Sequence, residues 1–276
     1  GLGEGGTGAR AYGEAVGVYL AFVVDKLTDY HSSICSWNAP GEKLRNVFGR
    51  QAIPMTWDYA EGNLFSSSSG SFDNMMQWVT KVIGEYPCAN RPGSARQFDA
   101  QSDNGMRGIL VSTDPPYYDN IGYADLSDFF YVWLRQSLRR TYPKLFSTML
   151  VPKHEELVAT PYRENRGKEG ARDFFEEGMF STFKQVYKYA CEDAPVTIYY
   201  AFKQSETETA NDVESTASTG WETMLSAIIR AGFEINGTWP MRTEKPGRTI
   251  GNGTNALASS IVLVCRKRPE DAPMGT

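Results

Sequence analysis

The sequence predicts an α/β fold, a sheet with flanking helices, on three observations. Short apolar, β-branched runs recur along the second half of the chain, at Gly108–Thr113, Val196–Phe202 and Ser260–Arg266. Stretches of helical period separate them, the alternation expected of an α/β sheet. The first run ends at Pro115-Pro116, a pair that permits neither a continued ladder nor an immediate helix. That run is expected to be a central strand, with Asp114 at its carboxyl end, the edge where open α/β sheets bind ligands.

The 276 residues suffice for one large domain or two small ones, and 41% hydrophobic content can build a core. The formal charge is −5, so no global field draws the chain to nucleic acid and any such contact needs a local patch. Cys35, Cys88, Cys191 and Cys265 are widely spaced without a Cys-x-x-Cys pair, and the only histidines are His31 and His154. That excludes a zinc ribbon and leaves no metal site; buried free thiols in a cytoplasmic protein are expected instead. No signal peptide is recognised. The longest apolar run, Ala15–Val24, stops at Asp25-Lys26, too short to cross a membrane. No Gly-x-x-x-x-Gly-Lys-Ser/Thr occurs, which argues against a phosphate-transfer enzyme.

Taken in order, Gly1–Gly8 matches Gly-x-Gly-x-x-Gly only formally, with no strand before it, and reads as a flexible lead-in. Ala11–His31 reads as a long helix with a core stripe of Ala15, Val18, Tyr19, Phe22, Val23 and Leu27. Pro40–Arg50 is a helical or irregular connection, and Gln51–Phe65 mixes aromatics with Asp58 and Glu61. A serine- and glycine-rich loop, Ser66–Ser71, leads into an amphipathic helix at Asn74–Glu85, which Pro87–Gly93 breaks. Ala95–Ala100 reads as a strand ending in Asp99-Ala100. Past the Pro-Pro turn, Leu126, Phe129, Phe130, Trp133 and Leu134 give a helix over Tyr123–Arg140. Phe174–Cys191 is a further amphipathic helix, and Lys203–Gly220 reads as a mobile loop. Trp221–Ala231 is a helix closed by Gly232, Phe233–Glu244 a strand bent near Pro240, and Arg242–Leu257 a glycine-rich loop.

Asp114-Pro115-Pro116-Tyr117 suits one chemistry well. The exocyclic amino group of a nucleobase is a poor nucleophile, because its lone pair is spread into the ring. A carboxylate and a backbone carbonyl that each accept one amino hydrogen localise that lone pair and stabilise the positive charge developing on nitrogen. Tyr117 could stack on a base turned out of its duplex. A Pro-Pro turn with an Asp cap and a core tyrosine is the competing explanation.

The motif after an apolar strand resembles that of S-adenosylmethionine-dependent amino-methyltransferases. The longer run from Asp114 to Arg135 is similar to the adenine-specific DNA methylases that carry an uncharacterised N-terminal domain and a zinc ribbon. Gly41–Phe65, Thr219–Glu244 and Ala256–Arg268 share the likeness. The resemblance implies a Rossmann-like class I methyltransferase sheet whose last two strands are antiparallel. It implies catalytic roles for Asp114, Pro115, Pro116 and Tyr117, and contact of Asp99 and Ala100 with the cofactor adenine. A surface turn is the alternative for Asp99. The domains expected are a helical lead-in and partial cap at 1–94 and a methyltransferase-like region at 95–276. The family's glycine-rich cofactor loop and ribose-binding acid are not found between Thr7 and Ala95. The chain therefore resembles the C-terminal catalytic part of a longer methylase, incomplete at the cofactor end. Weak or absent binding of S-adenosylmethionine is expected, with the other half supplied by a missing N-terminal part or a partner subunit.

From Arg135 to Arg172 nine Lys or Arg face four Glu, a net charge of +5. Arg135, Arg139, Arg140 and Lys144 are its candidates for DNA contact, against a merely solvated helix face. DNA adenine is the expected target. Cytosine amino groups, RNA, or nucleic-acid binding without catalysis are the alternatives.

Overall fold

A computed structural model describes residues 1–49, 52–86, 93–118, 121–201, 213–241, 260–269 and 271–272. Cys88 and the glycine-rich stretch after Met241 lie outside them, as do most of Pro87–Gly93 and Lys203–Asp212. The chain forms two compact units. Unit 1 comprises Gly1–Gln97 and Tyr123–His154, and unit 2 comprises Phe98–Gly122 and Glu155–Thr276. Tyr123–His154, which the sequence groups with the catalytic region, thus packs with the N-terminal residues.

Unit 1 is mainly helical. Its long helix α1 (Ala9–Thr28) packs against α2 (Phe72–Glu85) and α3 (Tyr123–Leu138). Ser71 caps α2 by accepting from the Asn74 N–H at 3.3 Å, so the serine-rich loop ends in a capping residue. Ala21 meets Tyr131, Leu138 and Phe146, while Val23 and Leu27 meet Met75. These neighbours bury a narrower stripe than expected, leaving Tyr19 and Phe22 exposed. On α3 the buried residues are Ala124, Tyr131 and Leu138, rotated from the expected stripe, and Phe129 and Phe130 pack against Phe48 instead. The connection after α1 contains a small antiparallel pair, β1 (Trp37–Asn38) and β2 (Lys43–Leu44). The first residues are not a loose lead-in. Leu2–Glu4 form a 3₁₀ turn, held by the Leu2 N–H donating to the Glu14 carboxylate.

Unit 2 is the α/β part. Its sheet runs β3 (Ser112–Thr113), β4 (Val196–Tyr200), β6 (Ser260–Lys267), β5 (Phe233–Met241), with β3 parallel to β4 and the other pairs antiparallel. The sheet is mixed, and the two hairpin strands at its end are antiparallel as expected. Helices α4 (Gly167–Tyr189) and α5 (Val213–Arg230) cover one face. Phe175, Met179, Phe183 and Val186 of α4 and Met224, Ala227 and Ile228 of α5 close over Val111, Val196, Ile198, Tyr200, Leu263 and Cys265.

Several boundaries differ from expectation. Helix α5 begins at Val213, inside the stretch read as a loop, because Ser and Thr weaken a helical pattern without preventing the helix. Helix α4 likewise begins at Gly167 rather than Phe174. Strand β5 passes through Pro240 and is irregular at Asn236 instead; β5 is an edge strand, where a missing N–H costs no ladder bond. Ala95–Ala100 is not a strand, since Asp99 closes its own turn.

Candidate functional site

The turn at Asp114 sits where the sequence puts it, at the carboxyl end of β3, but β3 is not central. It is the edge strand of the described sheet, and its ladder is confined to Ser112–Thr113 with one further bridge from Ile109 to Ala190. Gly108 adopts φ +64°, a left-handed conformation that ends the strand on its amino side. Ile109 donates to Tyr189 O and accepts from Cys191 N, both at 2.9 Å, and Val111 accepts from Thr197 N at 3.1 Å. Backbone groups alternate in direction along a strand, so those of Leu110 and Ser112 point away from β4. Among the described residues nothing pairs with them, and the Leu110 side chain is 71% exposed.

Asp114 is exposed, and the Tyr117 hydroxyl donates to its Oδ1 at 3.3 Å. Pro115 and Pro116 between them are half-buried and hold the turn that brings the two polar groups together. The ring of Tyr117 meets Tyr200 edge-on at 5.5 Å, and Tyr200 lies nearly parallel to Trp221 at 6.1 Å. Tyr118 meets Phe175 edge-on at 5.2 Å, and its carbonyl accepts from the Ala159 N–H at 2.6 Å. Gly220 passes under Tyr118, where a Cβ would lie 3.0 Å from the tyrosine Cβ. The turn is therefore clamped from β4, α4, α5 and the segment Leu157–Thr160.

None of these clamps is among the expected site residues. Tyr200 and Trp221 stand inside a strand and a helix whose patterns read as core. Only the aromatic density of Tyr199-Tyr200 and Trp221 hints at a cluster.

The remaining expected site residues are placed as follows. Asp99 accepts from the Gln101 N–H at 3.0 Å and from the Ser102 hydroxyl at 3.2 Å, so both carboxylate oxygens are engaged within its own turn, beside Ala100. Nearby, the Arg107 guanidinium and the Gly105 N–H hold the Asp103 carboxyl down to about 2. Arg135 donates through Nε to Thr148 O at 2.9 Å, the same carbonyl that accepts from the Tyr131 hydroxyl. Arg135 is thus a clasp across unit 1. Arg139, Arg140 and Lys144 are exposed in unit 1, and among the described residues they make no ion pair. The later basic residues of the stretch belong to unit 2 and are partly neutralised. Arg163 pairs with Glu156 at 2.6 Å, and Arg166 pairs with Glu164 and lies over the Phe174 ring.

Among the described residues no group of His, Cys, Asp or Glu is arranged to hold a metal, and no helix is long and apolar enough to cross a membrane. No family model, curated protein or solved structure matches the chain.

Proposed function

We propose that the chain carries the amino-group end of an adenine methylase acting on DNA. The observation behind it is the acid–hydroxyl pair of Asp114 and Tyr117, held across Pro115-Pro116 at the carboxyl end of a parallel strand. Asp114 accepts a hydrogen bond from the exocyclic amino group, and a carbonyl of the proline turn accepts the second. Both bonds strengthen as positive charge appears on nitrogen, because the acceptors are already oriented when it develops. The Tyr117 hydroxyl orients the carboxylate, and its ring stacks on the extruded base. Arg139, Arg140 and Lys144, exposed in unit 1, are by themselves candidates for phosphate contact.

S-adenosylmethionine would supply the methyl group. The described residues do not by themselves fit it: Asp99 is engaged in its own turn, and no glycine-rich cradle stands beside β3 among them. The outer edge of β3, unpaired among the described residues, is where a class I methyltransferase sheet would continue into a cofactor-binding half, whether from a longer chain or a partner subunit. The same observation favours a second reading, nucleic-acid binding without catalysis by this chain alone.

The test separates the amino group from the cofactor. A single-stranded DNA oligonucleotide containing adenine is compared with one containing purine, which lacks the amino group. One buried hydrogen bond to a charged acceptor is worth roughly 1.5–3 kcal/mol, so adenine should bind at least about tenfold more tightly. Asp114→Ala should erase that preference while leaving the purine affinity unchanged. Equal binding of the two bases by the unaltered chain would remove Asp114 from base recognition. Cytosine and RNA oligonucleotides in the same series address the other targets. Transfer of labelled methyl to DNA by the chain alone, lost in Asp114→Ala, would set aside the non-catalytic reading.

A further inference from the structure

The segment Ile53–Phe65 in unit 1 exposes more aromatic surface than any function above uses. Met55, Trp57 and Phe65 are 84%, 89% and 87% exposed, and Ile53 and Tyr59 are also open. This is not a loose loop. Thr56 donates through its hydroxyl to Ile34 O at 3.1 Å, and Ala60 N–H donates to Cys35 O at 2.9 Å. Gly62 is pressed so close to Leu44 and His31 that a Cβ would lie 2.8 and 3.0 Å from them. Leu64 O accepts from Phe72 N at 2.9 Å, which ties the segment to the first residue of α2.

Anchoring and exposure alternate along it. Pro54, Thr56, Ala60 and Gly62 are half-buried, whereas Ile53, Met55, Trp57, Tyr59 and Glu61 are exposed. The pinned residues hold the others outward as a ridge. Pre-organised aromatic anchors of this kind are what protein interfaces enrich, because large rings lose little side-chain freedom on binding.

The charge carried by the segment itself selects the partner. From Ala52 to Thr80 there is no Lys, Arg or His, while Asp58, Glu61 and Asp73 are acidic, and Asp58 and Glu61 are exposed on the ridge itself. Sites that stack nucleic-acid bases line the backbone path with cations, and membrane-surface segments carry Lys and Arg on their polar face. This ridge has the opposite sign. Aromatic rings beside carboxylates fit Arg and Lys side chains, whose cations sit over the rings while their stems cover apolar surface.

We propose that Ile53–Glu61 is a docking ridge for a basic segment of another protein, one that alternates cationic and apolar side chains. The inference is independent of the methylase reading, since it uses none of the residues at Asp114.

The experiment measures fluorescence anisotropy of a labelled peptide of alternating arginine and leucine against the full chain. Its glutamate–leucine counterpart and oligo-dT are labelled and titrated separately in the same way, and sedimentation velocity follows self-association. The arginine peptide should bind and the glutamate peptide should not, and any oligo-dT affinity should be the same in the parent and in Trp57→Ala with Tyr59→Ala. Trp57→Ala with Tyr59→Ala should weaken binding of the arginine peptide at least about tenfold, the loss expected of a desolvated cation–π pair. Asp58→Asn with Glu61→Gln should weaken it several-fold and flatten its salt dependence. All four side chains are exposed, so both variants should keep the circular dichroism of the parent. Absence of binding, binding unchanged in either variant, oligo-dT binding lost in the Trp57 variant, or dimerisation lost in the Trp57 variant would each overturn the proposal.

Discussion

Gly178, in the middle of α4, is the sharpest mechanical test of how the Asp114 turn is held. A Cβ there would overlap Leu157 Cδ2 and lie 3.1 and 3.3 Å from Leu157 Cδ1 and Cγ. Leu157 is buried together with Val158, Ala159 and Thr160, and Ala159 donates to Tyr118 O beside the turn. Gly178→Ala sets two effects against each other. Alanine in a helix interior gains about 1 kcal/mol over glycine. Overpacking a closed core typically costs roughly 1–3 kcal/mol, because the displaced side chain has no free volume to enter. The net change should be destabilising by about 0–2 kcal/mol. Gly17→Ala in α1 is the control, because its Cβ would meet nothing within 4 Å and only the gain of about 1 kcal/mol remains. Urea unfolding of both variants gives the comparison. Leu157→Ala added to Gly178→Ala should cost less than Leu157→Ala alone, which a double-mutant cycle resolves. If Gly178→Ala stabilises as much as Gly17→Ala, Leu157 does not seat on α4, and the clamp on Tyr118 is not as described.

Three further outcomes are expected. Burial raises the Asp25 carboxyl to about 7 and leaves its Oδ1 without a partner, so the folded state favours the protonated form. Its stabilising contribution is complete below about pH 4 and lost as pH rises to about 7. Asp25→Asn should therefore flatten the pH dependence of the melting temperature over that window, and should stabilise at pH 8. The ceiling from the shift is about 4 kcal/mol and, discounted for partial exposure, the gain is about 1–2 kcal/mol. Burial pushes the Cys265 thiol up to about 12, and Cys35 is also fully buried, whereas Cys191 is half-exposed. Alkylation mapped by mass spectrometry should label Cys191 well before either, and equal rates would contradict that burial. Arg139→Ala with Arg140→Ala should lower the slope of log affinity for DNA against log salt by up to about 2, as lost phosphate contacts require. An unchanged slope would make the pair a solvated face.

What could be read in advance follows from the range of the interactions involved. The helix at α2 and the strands at β4 and β6 were legible because burial on one face prints a period into adjacent residues. The Asp114 turn was legible because two prolines act on the backbone locally. The edge position of β3 was not, since a strand's neighbours are chosen by distant segments and Ile109–Val111 looks equally apolar at an edge or a centre. The buried stripe of α1 is narrower, and that of α3 rotated, for the same reason: Met75 and Phe48, far away in sequence, decide which apolar residues are covered. The hydrogen bond from Arg135 Nε to Thr148 O spans 13 residues and has no local signature either. The clamps on Tyr118 are likewise non-local, and the turn residues themselves carry no sign of them.

The pairing of β3 with β4 joins residues 85 positions apart, as the Thr197 hydroxyl donating to Ser112 Oγ marks. Between them the chain leaves unit 2, builds α3 within unit 1, and returns. Closing a loop of that length costs about 4 kcal/mol of chain entropy, and only a short ladder answers it directly. Strand β3 is therefore expected to join its sheet after α4 and β4 have formed a surface to receive it, and to detach before the other strands. Amide hydrogens of Val111 and Thr113 should exchange faster than those of β4 and β6, through openings smaller than global unfolding. Asp114 hangs from that strand. A partner that pairs with the free edge at Leu110 and Ser112 would do more than extend the sheet: it would raise the fraction of molecules in which the carboxylate is in place.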